Sequence, residues 1–123
     1  MSWNISNDRP VYIQLVEELT MRIVSGVYKP GERIDSVRDF AQQAKVNPNT
    51  MQKALAEIER NGLVYSQRTA GKFVTEDKKI IEKARKSIAT AEVEAFMLKM
   101  KKLGYNKETV LSFINDAKEN NNE

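Results

Sequence analysis

Asn49, Thr50, Gln52 and Lys53 gather two amides, a hydroxyl and an ammonium in one short stretch of chain. The chemistry such a set supports is hydrogen bonding to another polar surface. An asparagine or glutamine amide matches the adenine edge, and a lysine reaches guanine O6 or N7. Bond-making chemistry has little to work with here. The chain holds no histidine and no cysteine, which removes the commonest general base, the commonest metal ligand and every thiolate. It has no phosphate loop and no paired-carboxylate motif, and Glu92-Val93-Glu94 reads as a helix flank. The expectation is a protein that is not an enzyme and carries no metal and no cofactor.

These residues need a rigid carrier, and Val46 to Leu63 supplies one as a helix. Asn47 is placed as N-cap, accepting a bond from a backbone N–H further on. Pro48 falls at the first helical position, where its fixed φ suits the helix and its missing N–H costs nothing. Val46 and Met51 occupy the hydrophobic-staple positions, and Gly62 ends the helix. Met51, Ala54, Leu55 and Ile58 recur at helical spacing as the buried face. The opposite face carries Asn49, Lys53, Ala56 and Arg60, flanked by Gln52 and Thr50.

A polar helix face is ordinarily just solvated, and the neighbouring elements are what change that reading. Upstream, Ser36 to Ala44 forms a shorter helix with Ser36 and Asp39 at capping-box spacing. Val37, Phe40, Ala41 and Ala44 are its buried face, and Arg38 points away from them. Only Lys45 and Val46 then precede Asn47, so the two helices must cross steeply. Downstream, Leu63–Gln67 and Lys72–Thr75 read as two strands joined by the turn Arg68–Gly71, with Arg68 and Lys72 beside its tip. Helix, tight turn, helix, hairpin is the order of a winged helix-turn-helix, whose second helix enters the DNA major groove.

The remaining chain brackets this unit. Trp3 and Ile5 alternate with polar residues in a short strand or extended arm. A helix from Pro10 to Ser25 has the core stripe Tyr12, Leu15, Val16, Leu19 and Ile23, and a linker with a Pro30-Gly31 turn follows it. After Thr75 a long helix, Lys78 to Leu103, carries Ile81, Ala84, Ile88, Ala91, Ala95 and Leu98 at coiled-coil-like spacing. Val93, Phe96, Met97, Met100 and Leu103 widen that surface. Asn106 caps a last helix, Lys107 to Lys118, with Tyr105 and Val110 at staple positions. It adds Val110, Leu111, Phe113, Ile114 and Ala117, before a polar, frayed tail at Asn120–Glu123.

The fold class is thus mainly α with a small β-hairpin. Residues 1–75 are expected to be a winged helix-turn-helix DNA-binding domain and residues 76–123 a two-helix dimerisation segment. The second segment shows more apolar face than one helical hairpin can bury and too small a core to stand alone. A homodimer is expected, with Ile81, Ala84, Ile88, Ala91, Ala95, Leu98, Phe113 and Ile114 at its interface. A small-molecule effector, if the protein has one, would lie around Phe96, Met97, Met100 and Phe113, where dimer core is the stronger reading. With 123 residues, 41% apolar and 30% charged, the composition is that of an ordinary soluble chain. No apolar run is long enough to span a bilayer, so no membrane partner is expected and the location should be cytoplasmic. The net charge of +3 divides into +2 for residues 1–75 and +1 for residues 76–123, so individual charges must carry the argument rather than the total.

The segments Tyr28-Lys29-Pro30-Gly31-Glu32-Arg33-Ile34, Ser36-Val37-Arg38-Asp39-Phe40-Ala41, Val46-Asn47-Pro48-Asn49-Thr50-Met51, Gly62-Leu63-Val64-Tyr65 and Gly71-Lys72-Phe73-Val74 occur in fixed order. Together they resemble the DNA-binding domain of the GntR family of bacterial transcription regulators. Asn-Pro-Asn-Thr at the recognition-helix start and the short two-helix C-terminus are similar to its YtrA subfamily. The resemblance implies a homodimeric repressor on a palindromic operator in double-stranded DNA, near genes for ABC-type transporters. It implies that Arg38, Asn47, Pro48, Asn49, Thr50, Gln52, Lys53 and the wing near Gly71 approach DNA, and the wing reading adds Arg68 and Lys72. The chain departs from the family pattern in four places. Asp35 replaces a proline, and Lys45 stands where glycine is frequent in the helix–helix turn. The wing reads Arg68-Thr69-Ala70-Gly71 in place of Arg-Gly-x-Gly, and Pro48 stands where many members have an arginine.

Within that frame Thr50 and Arg38 are expected on phosphate or sugar, together with the N–H groups at the start of the recognition helix. Asn49, Gln52 and Lys53 are expected on base edges, and Arg68 and Lys72 supply salt-sensitive attraction. The competing function is a winged helix used for protein contact, since similar folds serve both. Steep salt dependence of DNA affinity separates the two.

Overall fold

The computed structural model describes residues 2–118, so the tail read at Asn120–Glu123 lies outside the described residues. The elements follow in the order α1 (Val11–Val24), α2 (Val37–Ala44), α3 (Pro48–Arg60), β1 (Val64–Gln67), β2 (Gly71–Val74), α4 (Lys78–Lys102) and α5 (Lys107–Asp116). The chain divides into two compact units, Met1–Lys86 and Ser87–Glu123.

In the first unit α1 and α2 both pack on α3. Leu15, Leu19 and Ile23 of α1 meet Phe40 and Ala41 of α2 and Met51, Ala54, Leu55 and Ile58 of α3, with Ile34, Leu63, Val64 and Val74 closing the core. Tyr12 and Val16, read from sequence as core, are only half-buried. Pro10 precedes α1 without a side-chain cap. Buried Gln14 takes over part of that work: its Oε1 accepts from the Ser6 N–H at 2.8 Å, and its Nε2 donates to the Ser6 and Arg9 carbonyls at 2.9 and 2.8 Å. Trp3 and Ile5 form no strand, and their segment is an arm laid on the unit. The Trp3 ring stands edge-on to Phe40 at 5.6 Å, and the Arg22 guanidinium lies 4.0 Å from its centroid. Arg22 is buried, yet it pairs with Glu18 and donates to the Tyr28 hydroxyl, each at 2.8 Å. Burial works against its charge, and these two partners outweigh that and hold its pKa above the ordinary value.

The helix caps follow the residue types. Ser36 Oγ accepts from the Asp39 N–H at 3.1 Å, and Asn47 Oδ1 accepts from the Asn49 N–H at 2.7 Å. Between the two helices the Lys45 and Val46 N–H groups both return to the Ala41 carbonyl. This closure needs Lys45 at φ 58°, ψ 48°, in the left-handed region.

β1 and β2 pair antiparallel, with Tyr65 opposite Phe73 and Gln67 opposite Gly71. The segment read as a linker after Pro30 adds a third edge to this hairpin. The Gly31 N–H donates to the Val74 carbonyl, the Val74 N–H to Glu32 and the Ile34 N–H to Lys72, each at 2.9 Å, and Arg33 bridges Phe73. Pro30-Gly31 announced a turn, but a pairing this short has no alternating apolar pattern to reveal it.

The first unit continues beyond the expected boundary at Thr75, because the opening turns of α4 belong to it. Ile81 is 6% exposed, beside a cleft it lines with Ile23, Val24 and Pro30. Arg85 Nε donates to the Val24 carbonyl at the end of α1, at 3.2 Å. In the second unit Gly104 ends α4 at φ +97°, the Tyr105 N–H returns to Met100 at 3.1 Å, and Asn106 Oδ1 accepts from the Thr109 N–H at 2.9 Å. Tyr105 meets Phe113 edge-on at 5.0 Å. Of this unit's described apolar side chains only Val110 is fully buried; Val93, Phe96, Leu98, Leu103, Leu111, Phe113 and Ile114 are exposed.

Lys45 gives a direct test of the helix–helix turn. A non-glycine residue in the left-handed region costs about 1 kcal/mol. Lys45→Gly is expected to raise the unfolding free energy by roughly 0.5–1 kcal/mol, the remainder being offset by the greater freedom of the unfolded glycine. A urea titration followed by circular dichroism reads this as a higher midpoint at unchanged slope. A lower midpoint would mean that the lysine side chain contributes more than the strain removes.

Candidate nucleic-acid interface

The geometry of α3 follows from burying one side of it. Met51, Ala54, Leu55 and Ile58 are each 0% exposed, so the positions roughly half a turn away must face out. There stand Asn49, Gln52, Lys53, Ala56 and Arg60, all exposed, with Thr50 half-buried. Among the described residues the side chains of Asn49, Gln52 and Lys53 make no hydrogen bond or ion pair within the chain, and neither do those of Arg38 and Arg68. Thr50, Lys53, Ala56 and Arg60 line one side of an open concavity, and Tyr12 of α1 lines the other. Tyr12 was assigned to the core stripe by its spacing. It sits at the groove instead, because it belongs to the first turn of α1 and its hydroxyl reaches Glu57 Oε1 at 3.4 Å. Glu57 also pairs with Arg60.

The start of α3 differs from the expectation of open N–H groups. Pro48 has no N–H, the Asn49 N–H is taken by the Asn47 side chain, and the Thr50 N–H returns to the Asn47 carbonyl at 3.0 Å. The cap that makes Asn47 a good helix start also closes the donors it was expected to leave open. Asn47 and Pro48 therefore present exposed side-chain surface at this end, and the positive end of the helix dipole acts without open donors.

In the wing the two expected cations separate. Arg68 is exposed in the turn, where the Ala70 N–H returns to the Gln67 carbonyl at 3.0 Å. Lys72 is turned inward. Its Nζ bonds Glu59 Oε1 of α3 at 2.8 Å and Ser66 Oγ at 2.9 Å, and Ser66 Oγ lies 3.1 Å from the same carboxylate. In the chain alone the Lys72 charge is thus engaged inside the domain, where it ties the wing to α3, in contrast to the open Arg68. The bond from Lys72 holds the Glu59 pKa below the usual carboxylate range; burial opposes it, and the bond from Ser66 adds a smaller lowering. Thr69, at the position of the missing glycine, has φ 117°, and Gly71 has φ 104°. For a β-branched residue that is strained backbone.

Two residues beside α3 and the wing were not singled out by the sequence pattern. Tyr12 was hidden by a core-like spacing. Arg33 was hidden in a stretch read as linker, and only the strand pairing brings it beside Gly71. Among the expected interface positions between copies, Ala84 and Ile88 are half-buried in the single chain, while Ala91, Ala95, Leu98, Phe113 and Ile114 are exposed. Ile81 is already buried in the first unit, so its apolar surface is used within the chain. Among the described residues no cluster of metal-ligating side chains occurs, and no helix is long and apolar enough to cross a membrane.

A helix with one buried face and an amide-rich outer face, a second helix crossing it through a two-residue turn, and a hairpin anchored beside it define a winged helix-turn-helix DNA-binding protein. Residues 11–74 match the family of bacterial regulatory proteins of the gntR type, and the chain belongs to the GntR family of transcription regulators. It is 35% identical over 114 residues to the HTH-type transcriptional regulator YhcF of Bacillus subtilis (strain 168), covering 93% of this chain and 94% of that one. It is 36% identical over 70 residues to the HTH-type transcriptional repressor YtrA of the same organism, covering 57% of this chain and 54% of that protein. A GntR family transcriptional regulator from Listeria monocytogenes has a similar structure, with a TM-score of 0.85 at 38% identity, over 92% of this chain and 99% of that one. The regulator class agrees with a chain that is not an enzyme.

Glu59 offers a test of the wing anchor. Its side chain is 35% exposed, so the solvent-screened pair is worth only about 0.5–1 kcal/mol. Because the folded pKa is depressed, that stability is present in full above the unfolded value, near pH 4.3, and is lost as pH falls through the lower folded value. Glu59→Gln is expected to lower the thermal midpoint at pH 7 and to narrow its gap from the wild type in acid, below about pH 4. An equal gap at both pH values would show that the carboxylate charge does not anchor the wing.

Proposed function

We propose that the protein is a cytoplasmic, homodimeric repressor that binds a palindromic operator through α3, Arg38 and the wing. The observation that carries the reading is the outer face of α3. Its polar side chains are held in place by a fully buried opposite face, yet Asn49, Gln52 and Lys53 have no partners among the described residues. Amides and an ammonium so presented suit base edges, while Arg38 and Arg68 suit phosphate. The repressor reading draws support from the likeness to YtrA, which is a repressor by name.

The dimer reading draws on the second unit. Phe96, Leu98, Leu103, Leu111, Phe113 and Ile114 are 40–64% exposed in the single chain, and surface of this kind commonly marks an interface between chains. A second copy is the partner of matching chemistry, because a two-fold interface sets the same apolar patch against itself. Two recognition helices so paired would address half-sites about 34 Å apart.

Two measurements test the two parts separately. Asn49→Ala is expected to weaken binding to the cognate duplex by about 1–3 kcal/mol and to relax preference at one base position. Fluorescence anisotropy against a set of single-base variants reads this, and a uniform loss across all sequences removes Asn49 from the base readers. Leu98→Asp places a charge in the proposed seam and is expected to shift the protein towards monomer in sedimentation velocity. A wild type that sediments as a monomer at tens of micromolar would refute the dimer.

A further inference from the structure

We infer that Arg33 is the phosphate-contacting cation at the base of the wing, in the place sequence reading gave to Lys72. The inference rests on the DNA-binding reading above and deepens it by naming a residue. Three observations carry it.

The first is position. Arg33 pairs with Phe73 on the outer edge of the hairpin, and side chains alternate across a sheet with period two. Arg33, Phe73 and Gly71 therefore share one face, while Lys72 falls on the other, against Glu59 of α3. The Arg33 guanidinium lies across Gly71: its Nε, Nη2 and Cζ are 3.1, 3.5 and 3.7 Å from where a β-carbon on that glycine would stand. Gly71 thus has a second reason to be glycine besides its φ of +104°. It leaves the slot that the guanidinium occupies, next to the wing turn.

The second is charge. None of the carboxylates near Arg33 in sequence and in the wing pairs with it, although Glu76 Oε2 stands beside Gly31. Glu32 Oε1 accepts from the Lys29 N–H at 2.7 Å, Asp35 accepts from Gln43 Nε2 at 2.8 Å, and Glu59 holds Lys72 at 2.8 Å. Among the described residues Arg33 forms no ion pair and is exposed, so its guanidinium fork is free to bond an incoming phosphate. The third is rigidity. The bonds on either side of Arg33, from Val74 to Glu32 and from Ile34 to Lys72, are each 2.9 Å and fix its backbone to β2. A planar, always-charged fork on a fixed strand suits a phosphate.

The test is the salt dependence of affinity for two duplexes, the chain's own promoter region and a scrambled sequence of equal length, from about 50 to 200 mM NaCl. Arg33→Gln should reduce the slope of log K against log salt by about 1. It should weaken both duplexes by the same factor, roughly 5- to 10-fold near 0.1 M salt. Arg33→Lys should restore most of the slope, which separates lost charge from a disturbed wing. An Arg33→Gln slope equal to that of the wild type overturns the inference alone. So does a loss confined to the promoter duplex, which would make Arg33 a reader of sequence. A wild type that binds neither duplex at any salt overturns the DNA-binding reading, and this inference with it.

Discussion

The outer polar surface of the winged helix-turn-helix depends on burying one side of α3. Met51, Ala54, Leu55 and Ile58 have no exposed surface, and each large apolar side chain so buried is worth about 1.5–3 kcal/mol. That sum exceeds the cost of the strained turn at Lys45, about 1 kcal/mol, and explains why the chain accepts a lysine at φ 58°. A gentler turn would let α3 rotate and expose its core face. The same rotation would carry Asn49, Gln52 and Lys53 inward, since they sit on the opposite side of one rigid helix. Core packing and the presentation of the polar face are therefore one constraint.

The wing obeys the same logic at lower energy. It is tied to α3 by Lys72, Glu59 and Ser66 and to the segment after Pro30 by three backbone bonds. These ties hold Thr69 at φ 117°, a conformation that costs of order 1–3 kcal/mol. A partly exposed ion pair is worth less than that, so the backbone bonds and the buried Val64 and Val74 must supply the difference. The family glycine at this position relieves the strain, and this chain keeps the turn without it.

Most of the fold was legible because its signals are local. Caps at Ser36, Asn47 and Asn106, stop signals at Gly62 and Gly104, and apolar spacing within α3 each depend on a few neighbouring residues. What stayed hidden was set by partners distant in sequence. Arg33 and Lys72 are both cations near the wing, and composition cannot tell which one meets Glu59, thirteen residues away from Lys72. The pairing of the linker with β2 decides it. Tyr12 and Ile81 show the same limit from the apolar side. Each has the right spacing for the stripe it was assigned to, yet Tyr12 opens onto the groove beside α3 and Ile81 is buried in the first unit. The donors at the start of α3 were misjudged for a local reason: a side-chain cap and an open N–H cannot occupy the same position.

The second unit raises a different physical question, because its described residues bury one large side chain, Val110, and leave Phe96, Leu98, Leu103, Leu111, Phe113 and Ile114 in water. A segment of this size cannot offset its ordering entropy from so little burial. The caps at Gly104 and Asn106 fix where α5 begins, but capping contributes only about 1 kcal/mol. Under the dimer reading the missing burial comes from a second copy, and the order of this unit becomes linked to protein concentration by mass action. The first unit carries no such debt: its core closes within one chain and already includes the opening turns of α4 through Ile81 and Arg85. Under that dimer reading, folding of the first unit is independent of association while two-site operator binding requires it, so dilution would separate the two on one and the same chain.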